Sequence, residues 1–222
     1  MQIAMDGPAG AGKSTIAKCV AKKLKITYLD TGAMYRAITK GVIDRGICFD
    51  DQDAIAEYAH QAVIAFKGDQ IFLDGQDVTR AIRTPEVSAH TSDVASVPEV
   101  RKVLVQAQQQ IAEGTDVIMD GRDIGSRVLP NADYKFYLDA AVSERAKRRY
   151  DELKAKKALD GKTLADIEAD IEKRDYLDSH REVDPLVCCE DAHRIDTTAM
   201  TIDQVCDCLI EIIKKPKDEE AL

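Results

Sequence analysis

Short apolar runs alternate with longer amphipathic stretches along most of the chain. Runs at residues 2–5, 27–29, 117–119, 134–138 and 193–195 predict strands, and each is followed at once by an aspartate: Asp6, Asp30, Asp120, Asp139 and Asp196. Elsewhere apolar positions recur at helical spacing. Ile16, Val20 and Leu24 mark a helix over 13–25, and Met34, Ile38 and Val42 one over 33–45. Val100, Val103, Leu104 and Ile111 mark another over 99–112. Thr201 and Gln204 form a capping box ahead of Val205, Leu209, Ile212 and Ile213. This alternation predicts an α/β fold on a largely parallel sheet, where ligands bind beyond the carboxyl ends of the strands. Aspartate at such a place is as often a turn or N-cap residue as a functional group. Asp30 and Asp120 sit inside richer motifs.

Two stretches break the alternation. Residues 63–78 read as small antiparallel strands turned by Gly68-Asp69 and Asp74-Gly75, so 60–98 is an insert on the main sheet. Residues 143–181 read as two charged, arginine-rich helices around Asp160-Gly161, either a mobile flap or a solvated helical hairpin. The core then comprises about 1–59, 99–142 and 182–215 of a single chain of 222 residues. From Lys214 onward the charged tail is expected to fray.

The first strand leads into Gly7-Pro8-Ala9-Gly10-Ala11-Gly12-Lys13-Ser14-Thr15, and a helix follows. This is the P-loop pattern in its proper strand–loop–helix context. Glycines let backbone N–H groups converge on phosphates, and the helix N-terminus adds positive potential. Lys13 is placed to reach the β- and γ-phosphates, and the Ser14 hydroxyl to ligate Mg²⁺. A GTPase would need an Asn-Lys-x-Asp element to read guanine. The only asparagine is Asn131, in Pro130-Asn131-Ala132-Asp133, so that element is absent. A nucleoside triphosphate kinase and an ATP-driven switch both remain open on the loop alone.

The formal net charge of −9 argues against duplex nucleic acid as a partner. No apolar run reaches the roughly 18 residues of a membrane span. The first residues lack the basic and apolar regions of a signal peptide. A cytoplasmic setting is therefore expected, where Cys19, Cys48, Cys188, Cys189, Cys206 and Cys208 would stay reduced. Cys206 and Cys208, two apart on a helix, point to different faces and make a poor zinc pair.

Further motifs follow the loop in order: Leu29-Asp30-Thr31-Gly32-Ala33-Met34-Tyr35-Arg36, then Ser92 and Val97-Pro98-Glu99-Val100-Arg101, then Asp120-Gly121-Arg122-Asp123-Ile124-Gly125, then Arg174-Asp175-x-x-Asp178-x-x-Arg181. Taken together with the P-loop, these motifs over about residues 1–213 closely resemble the bacterial cytidylate kinase family. The resemblance implies a five-stranded parallel core with flanking helices, a lid at 143–181 and an acceptor-binding insert at 60–98. It implies transfer of the γ-phosphoryl group of ATP to CMP or dCMP, with Mg²⁺, by a monomer. Thr31 stands where the family often has serine. Arg36 would pair with the acceptor phosphate, while Arg122 and Arg181 would line the phosphates and act with Lys13 in catalysis. Ser92, Arg101 and Asp123 would read the cytosine edge, and Arg174 and Asp178 the pentose. Asp120 would assist around Mg²⁺ and the acceptor. Arg148 would be the donor-side arginine, in a register that Arg145 and Arg149 make ambiguous. A kinase preferring UMP, and a P-loop ATPase acting as a switch, are the competing assignments.

Overall fold

The computed structural model describes residues 1–215, and the expected charged tail beyond Lys215 lies outside them. Five parallel strands form the main sheet: β1 (Gln2–Asp6), β2 (Thr27–Asp30), β6 (Val117–Asp120), β7 (Tyr134–Asp139) and β8 (His193–Asp196). Their order is β2-β6-β1-β7-β8. The chain therefore winds outward on opposite sides of β1, and the crevice at that reversal is where such sheets bind ligands. Every one of these strands ends on its aspartate, so the five carboxylates fringe one edge of the sheet.

The helices form where the apolar spacing and the caps agree. Helix α1 (Lys13–Leu24) buries Ile16, Ala17, Val20 and Ala21. Helix α2 (Thr31–Asp44) is capped by Asp30, whose side chain accepts from Ala33 N. Helix α5 (Pro98–Ala112) starts on proline, which loses no helical hydrogen bond there. Helix α8 (Ile202–Lys214) has the predicted capping box of Thr201 and Gln204. Its Val205, Cys206, Leu209, Ile210 and Ile213 pack with Ile16, Val20, Ile118 and Phe136 in one core cluster.

Strands β3 (Ile64–Lys67), β4 (Gln70–Leu73) and β5 (Gln76–Asp77) make a separate antiparallel sheet. Asp74 and Gly75 both have left-handed backbones, the tight hairpin geometry that an Asp-Gly pair favours. Two further helices flank it and are not set out by the sequence pattern: α3 (Gln52–Gln61) and α4 (Pro85–Ser96). Both are capped, by Asp51 and Thr84, but each buries only three residues. The stretch read as two charged helices contains α6 (Val142–Ala155) and α7 (Leu164–His180), joined on a small core of Ala146, Ile167 and Ile171.

The expectation of six free thiols is corrected. Helices α1 and α8 lie side by side, bring the Cα atoms of Cys19 and Cys206 to 6.3 Å, and the two are joined as a disulfide. Cys48, Cys188, Cys189 and Cys208 are free. Among the described residues no helix is long and apolar enough to cross a membrane.

Candidate active site

Gly7 and Gly12 show why this loop needs glycine. At Gly7 the backbone φ is 144° and an added Cβ would stand 2.0 Å from Leu138 O, so the loop lies directly on β7. Gly12 precedes α1 with φ of 86°, a left-handed turn that aims the first helical N–H groups into the loop. Lys13 is buried and folds back to donate to Gly7 O at 2.7 Å and Pro8 O at 2.8 Å. Burial, and then the charge of Arg122, push its ammonium well below its ordinary pKa, against the pull of Asp120, Asp6 and Asp178. A polyphosphate bound there would add the negative charge that favours the ammonium form.

Ser14 Oγ donates to Asp120 Oδ2 at 2.8 Å, and Tyr28 donates to the other carboxylate oxygen at 2.7 Å. Burial, and then the neighbouring Asp30, raise the pKa of Asp120. A hydroxyl beside a carboxylate is a hard-oxygen pair of the kind that suits Mg²⁺.

The helical hairpin meets the P-loop at Ala9. Asp175 Oδ1 accepts from Ala9 N at 2.8 Å, and Arg145 Nη1 donates to Ala9 O at 2.7 Å. Arg145 and Asp175 pair with each other at 2.5 Å. Neither residue carries a role in the sequence reading, although Asp175 stands inside a quoted motif. Arg148, one turn further along α6, donates to Thr197 O at 2.7 Å and pairs with Glu144. Arg149 pairs with Glu152 on the same helix at 2.9 Å.

Opposite the P-loop, the acceptor-side residues converge. Thr31 is buried and donates to Asp120 O at 2.7 Å. Arg36 pairs with Asp30 at 2.8 Å. Arg122 Nε donates to Asp178 Oδ2 at 2.7 Å, with Arg174 Nε at 4.0 Å from the same oxygen and Arg181 Nη1 at 3.9 Å from Oδ1. Burial works to raise the pKa of Asp178, but the charges of Arg122 and Arg174 outweigh it and hold the carboxyl low. Arg174 is pushed down to about 10 by burial and by the charge of Arg122. The Nε atoms of Arg36 and Arg174 are buried without a hydrogen-bond partner. Crowded cations with unspent donors are what a phosphate dianion relieves.

Arg101 is 1% exposed and pairs through Nη2 with buried Asp123. The Tyr35 ring lies beneath its guanidinium, 5.5 Å from ring centre to Cζ, and the Tyr35 hydroxyl is buried without a partner. Ser92 lines a cavity of about 290 Å³ with Ser96, Tyr176, Asp178 and Arg181. Asp178 and Arg181 line that cavity with Ser92, and charge pairs connect them to Arg122, Arg174, Asp123 and Arg101, while Arg36 is held by Asp30, Thr31 by Asp120, and Arg148 stands apart on the α6 side.

Asp6 is a site residue that the sequence reading passed over. It ends β1, directly before Gly7, and its two oxygens accept from Ile124 N at 2.9 Å and Gly125 N at 2.7 Å. It therefore ties the P-loop to the Arg122–Asp123 loop. The signal was its adjacency to Gly7, which carries no information about a partner more than a hundred residues away.

Residues 3–215 match the protein family described as cytidylate kinase. A cytidylate kinase of Caldanaerobacter subterraneus is 50% identical over 215 residues, covering 97% of this chain and 95% of that protein. One from Limosilactobacillus reuteri is 49% identical over 225 residues, covering 100% of this chain and 98% of its own length. Among solved structures, a shikimate kinase of Bacteroides thetaiotaomicron superposes with a TM-score of 0.50 at 13% identity, over 97% of this chain and 99% of its own, a likeness of fold alone.

Proposed function

Because the chain belongs to the cytidylate kinase family, we propose that it transfers the γ-phosphoryl group of ATP to CMP or dCMP, giving ADP and CDP or dCDP. The observation that carries this assignment is the arginine cluster of Arg36, Arg122, Arg174 and Arg181, two of whose Nε donors are buried and unspent, and whose Arg122 stands near enough to repel the P-loop lysine. A switch ATPase has no use for a second anion site facing its nucleotide. The setting implied is a monomer in the cytoplasm, where the Cys19–Cys206 bond has to persist against a reducing thiol pool.

The donor triphosphate lies on the N–H groups that the P-loop leaves free, Pro8 having none and Ala9 already donating to Asp175, and Lys13 exchanges its two carbonyl partners for phosphate oxygens. Ser14, with Asp120 behind it, would hold Mg²⁺, which when bound neutralises charge on the β- and γ-phosphates. The acceptor phosphate sits among Arg36, Arg122 and Arg181, in line with the γ-phosphorus. Its oxygen is already anionic, so the reaction needs no strong base. Lys13, Arg122 and Arg181 stabilise the charge that spreads over the transferred group. Arg174 and Asp178 hold the pentose. The α6–α7 hairpin acts as a lid that excludes water from the transfer, and Arg148 serves the donor side. The segment 60–98 serves the acceptor side.

Asp123 and Arg101 select the base, supported by Ser92. An ionised Asp123 only accepts and so matches the cytosine N4 amine, while Arg101 only donates and so matches N3 and O2. Uracil reverses the pattern at O4 and N3. The test is ADP release with CMP, dCMP, UMP, AMP and GMP. CMP and dCMP should exceed UMP by at least about 100-fold in kcat/KM, because the wrong base leaves buried groups unpaired. Asp123→Asn should narrow that gap, since an amide can turn its N–H₂ toward O4. ADP release indifferent to CMP would overturn the kinase assignment, and a strong preference unchanged in Asp123→Asn would overturn the base-reading one.

A further inference from the structure

Asp184 occupies a position that the acceptor contacts do not account for. It lies three residues beyond Arg181, where the chain leaves α7, and its backbone is left-handed with φ of 48°. Non-glycine residues adopt that conformation rarely, asparagine and aspartate most readily among them. Its carbonyl oxygen accepts from Arg181 Nε at 2.7 Å and also from Nη2. Its carboxylate engages other arginines. Oδ2 accepts from Arg101 Nε at 3.2 Å, and Oδ1 stands 3.5 Å from Arg127 Nε. The turn is closed by Leu186 N donating to Asp178 O at 2.8 Å and by burial of the Leu186 side chain.

A guanidinium carries five donors in one rigid plane, so its partners decide which way that plane faces. Arg101 spends three donors in three directions: Nη2 on Asp123, Nη1 on Ala95 O at 3.3 Å, and Nε on Asp184. Asp123 is shared, since it must also meet the base and its Oδ1 stands 3.7 Å from Arg181 Nη2. Ala95 O is a neutral acceptor at the long end of hydrogen bonding. Asp184 supplies the charged anchor on the Nε edge, from a turn that is already fixed.

Resting on the cytidylate assignment above, we propose that Asp184 is a positioning residue for base selection, fixing the plane of the Arg101 guanidinium and joining it through Arg181 to the end of α7. Its loss acts on recognition of cytosine and leaves the ATP site alone. CMP and UMP share the same phosphate and ribose, so the ratio of their kcat/KM values isolates the base.

Two variants separate the carboxylate from the backbone. Asp184→Asn keeps the shape and tolerates the left-handed turn, whereas Asp184→Gly relieves the turn and removes the side chain. In both, KM for CMP should rise on the order of tenfold, the effect of losing one charge-assisted hydrogen bond, and the CMP/UMP ratio should fall by about the same factor. KM for ATP should stay within about twofold, which also shows that the variant is folded. In an Arg101→Met background, Asp184→Asn should leave the CMP/UMP ratio where Arg101→Met alone puts it, because the group being positioned is gone. The proposal is overturned if both variants retain the wild-type ratio, if CMP and ATP constants worsen together with the ratio preserved, or if the Asp184→Asn effect persists without Arg101. A wild-type enzyme indifferent to the base overturns the cytidylate assignment and this proposal with it. A selective wild type with unaltered variants overturns the proposal alone.

Discussion

Asp6 carries a cost that its position makes worthwhile. Burial pushes its carboxyl up from 3.8 to about 6, more than the Gly125 and Ile124 N–H groups can offset; the Asp123 charge adds to the rise and Lys13 works against it. Lys135 and Cys189 stand nearby, around Gly125. A folded-state pKa above the unfolded one means that the fold favours the protonated acid. The stabilising contribution is complete below pH 3.8 and is lost as pH rises through about 6. A displacement of that size corresponds to on the order of 3 kcal/mol. Asp6→Asn does not titrate, so the stability of wild type relative to Asp6→Asn should fall by about that amount between pH 4 and 7. Urea unfolding of both proteins at stepped pH measures it, since carboxylates remote from Asp6 cancel in the difference. A relative stability that climbs with pH over that window would show Asp6 to be held as a favourable anion instead. At this scale the P-loop residues and the residues proposed above for the acceptor were legible as motifs. Asp6 and Asp184 were not, because each acts on a partner that no local pattern names.

The α6–α7 hairpin is the element proposed above as a lid. Its own core is three buried residues, and it leaves Tyr176 and Leu177 exposed. It touches the P-loop through Arg145 and Asp175 at Ala9. An element with few buried contacts opens at low free energy. Backbone amide exchange over 142–180 should therefore be fast in the free enzyme and slow markedly when a bisubstrate ligand spans both sites. Equal protection in the two states would leave a static hairpin and remove its role as a lid. Elements were legible where a short-range signal was strong: the helix after the glycine loop, the capped α8, the Asp74-Gly75 hairpin. Helices α3 and α4 were missed because each buries three residues and is rich in polar ones. Their helicity depends on the neighbours they cover. The docking of Arg145 was missed because Arg145, Arg148 and Arg149 are alike in sequence, and only the rotation of α6 against the P-loop separates them.

Across the whole molecule, the sheet order brings distant segments together. Helices α1 and α8 come from opposite ends of the chain, 187 residues apart at Cys19 and Cys206, and pack as neighbours. With four free cysteines out of six, the denatured protein should titrate four thiols before reduction and six after it. Six thiols before reduction would show the pair to be packed but unbonded. The sequence by itself determined the α/β alternation, the phosphate loop and its glycines, the caps, and the set of arginines and aspartates available for an acceptor. Those properties follow from backbone sterics, helical and strand periodicity and hydrogen bonds within a few residues. The tertiary structure alone decided which partners those side chains meet. Arg101 finds Asp123 and Asp184 at separations of 22 and 83 residues, and Asp6 finds Ile124 across 118. Such pairings are set by the order β2-β6-β1-β7-β8 and by where each strand ends, and a charge in the sequence has no direction until that order gives it one.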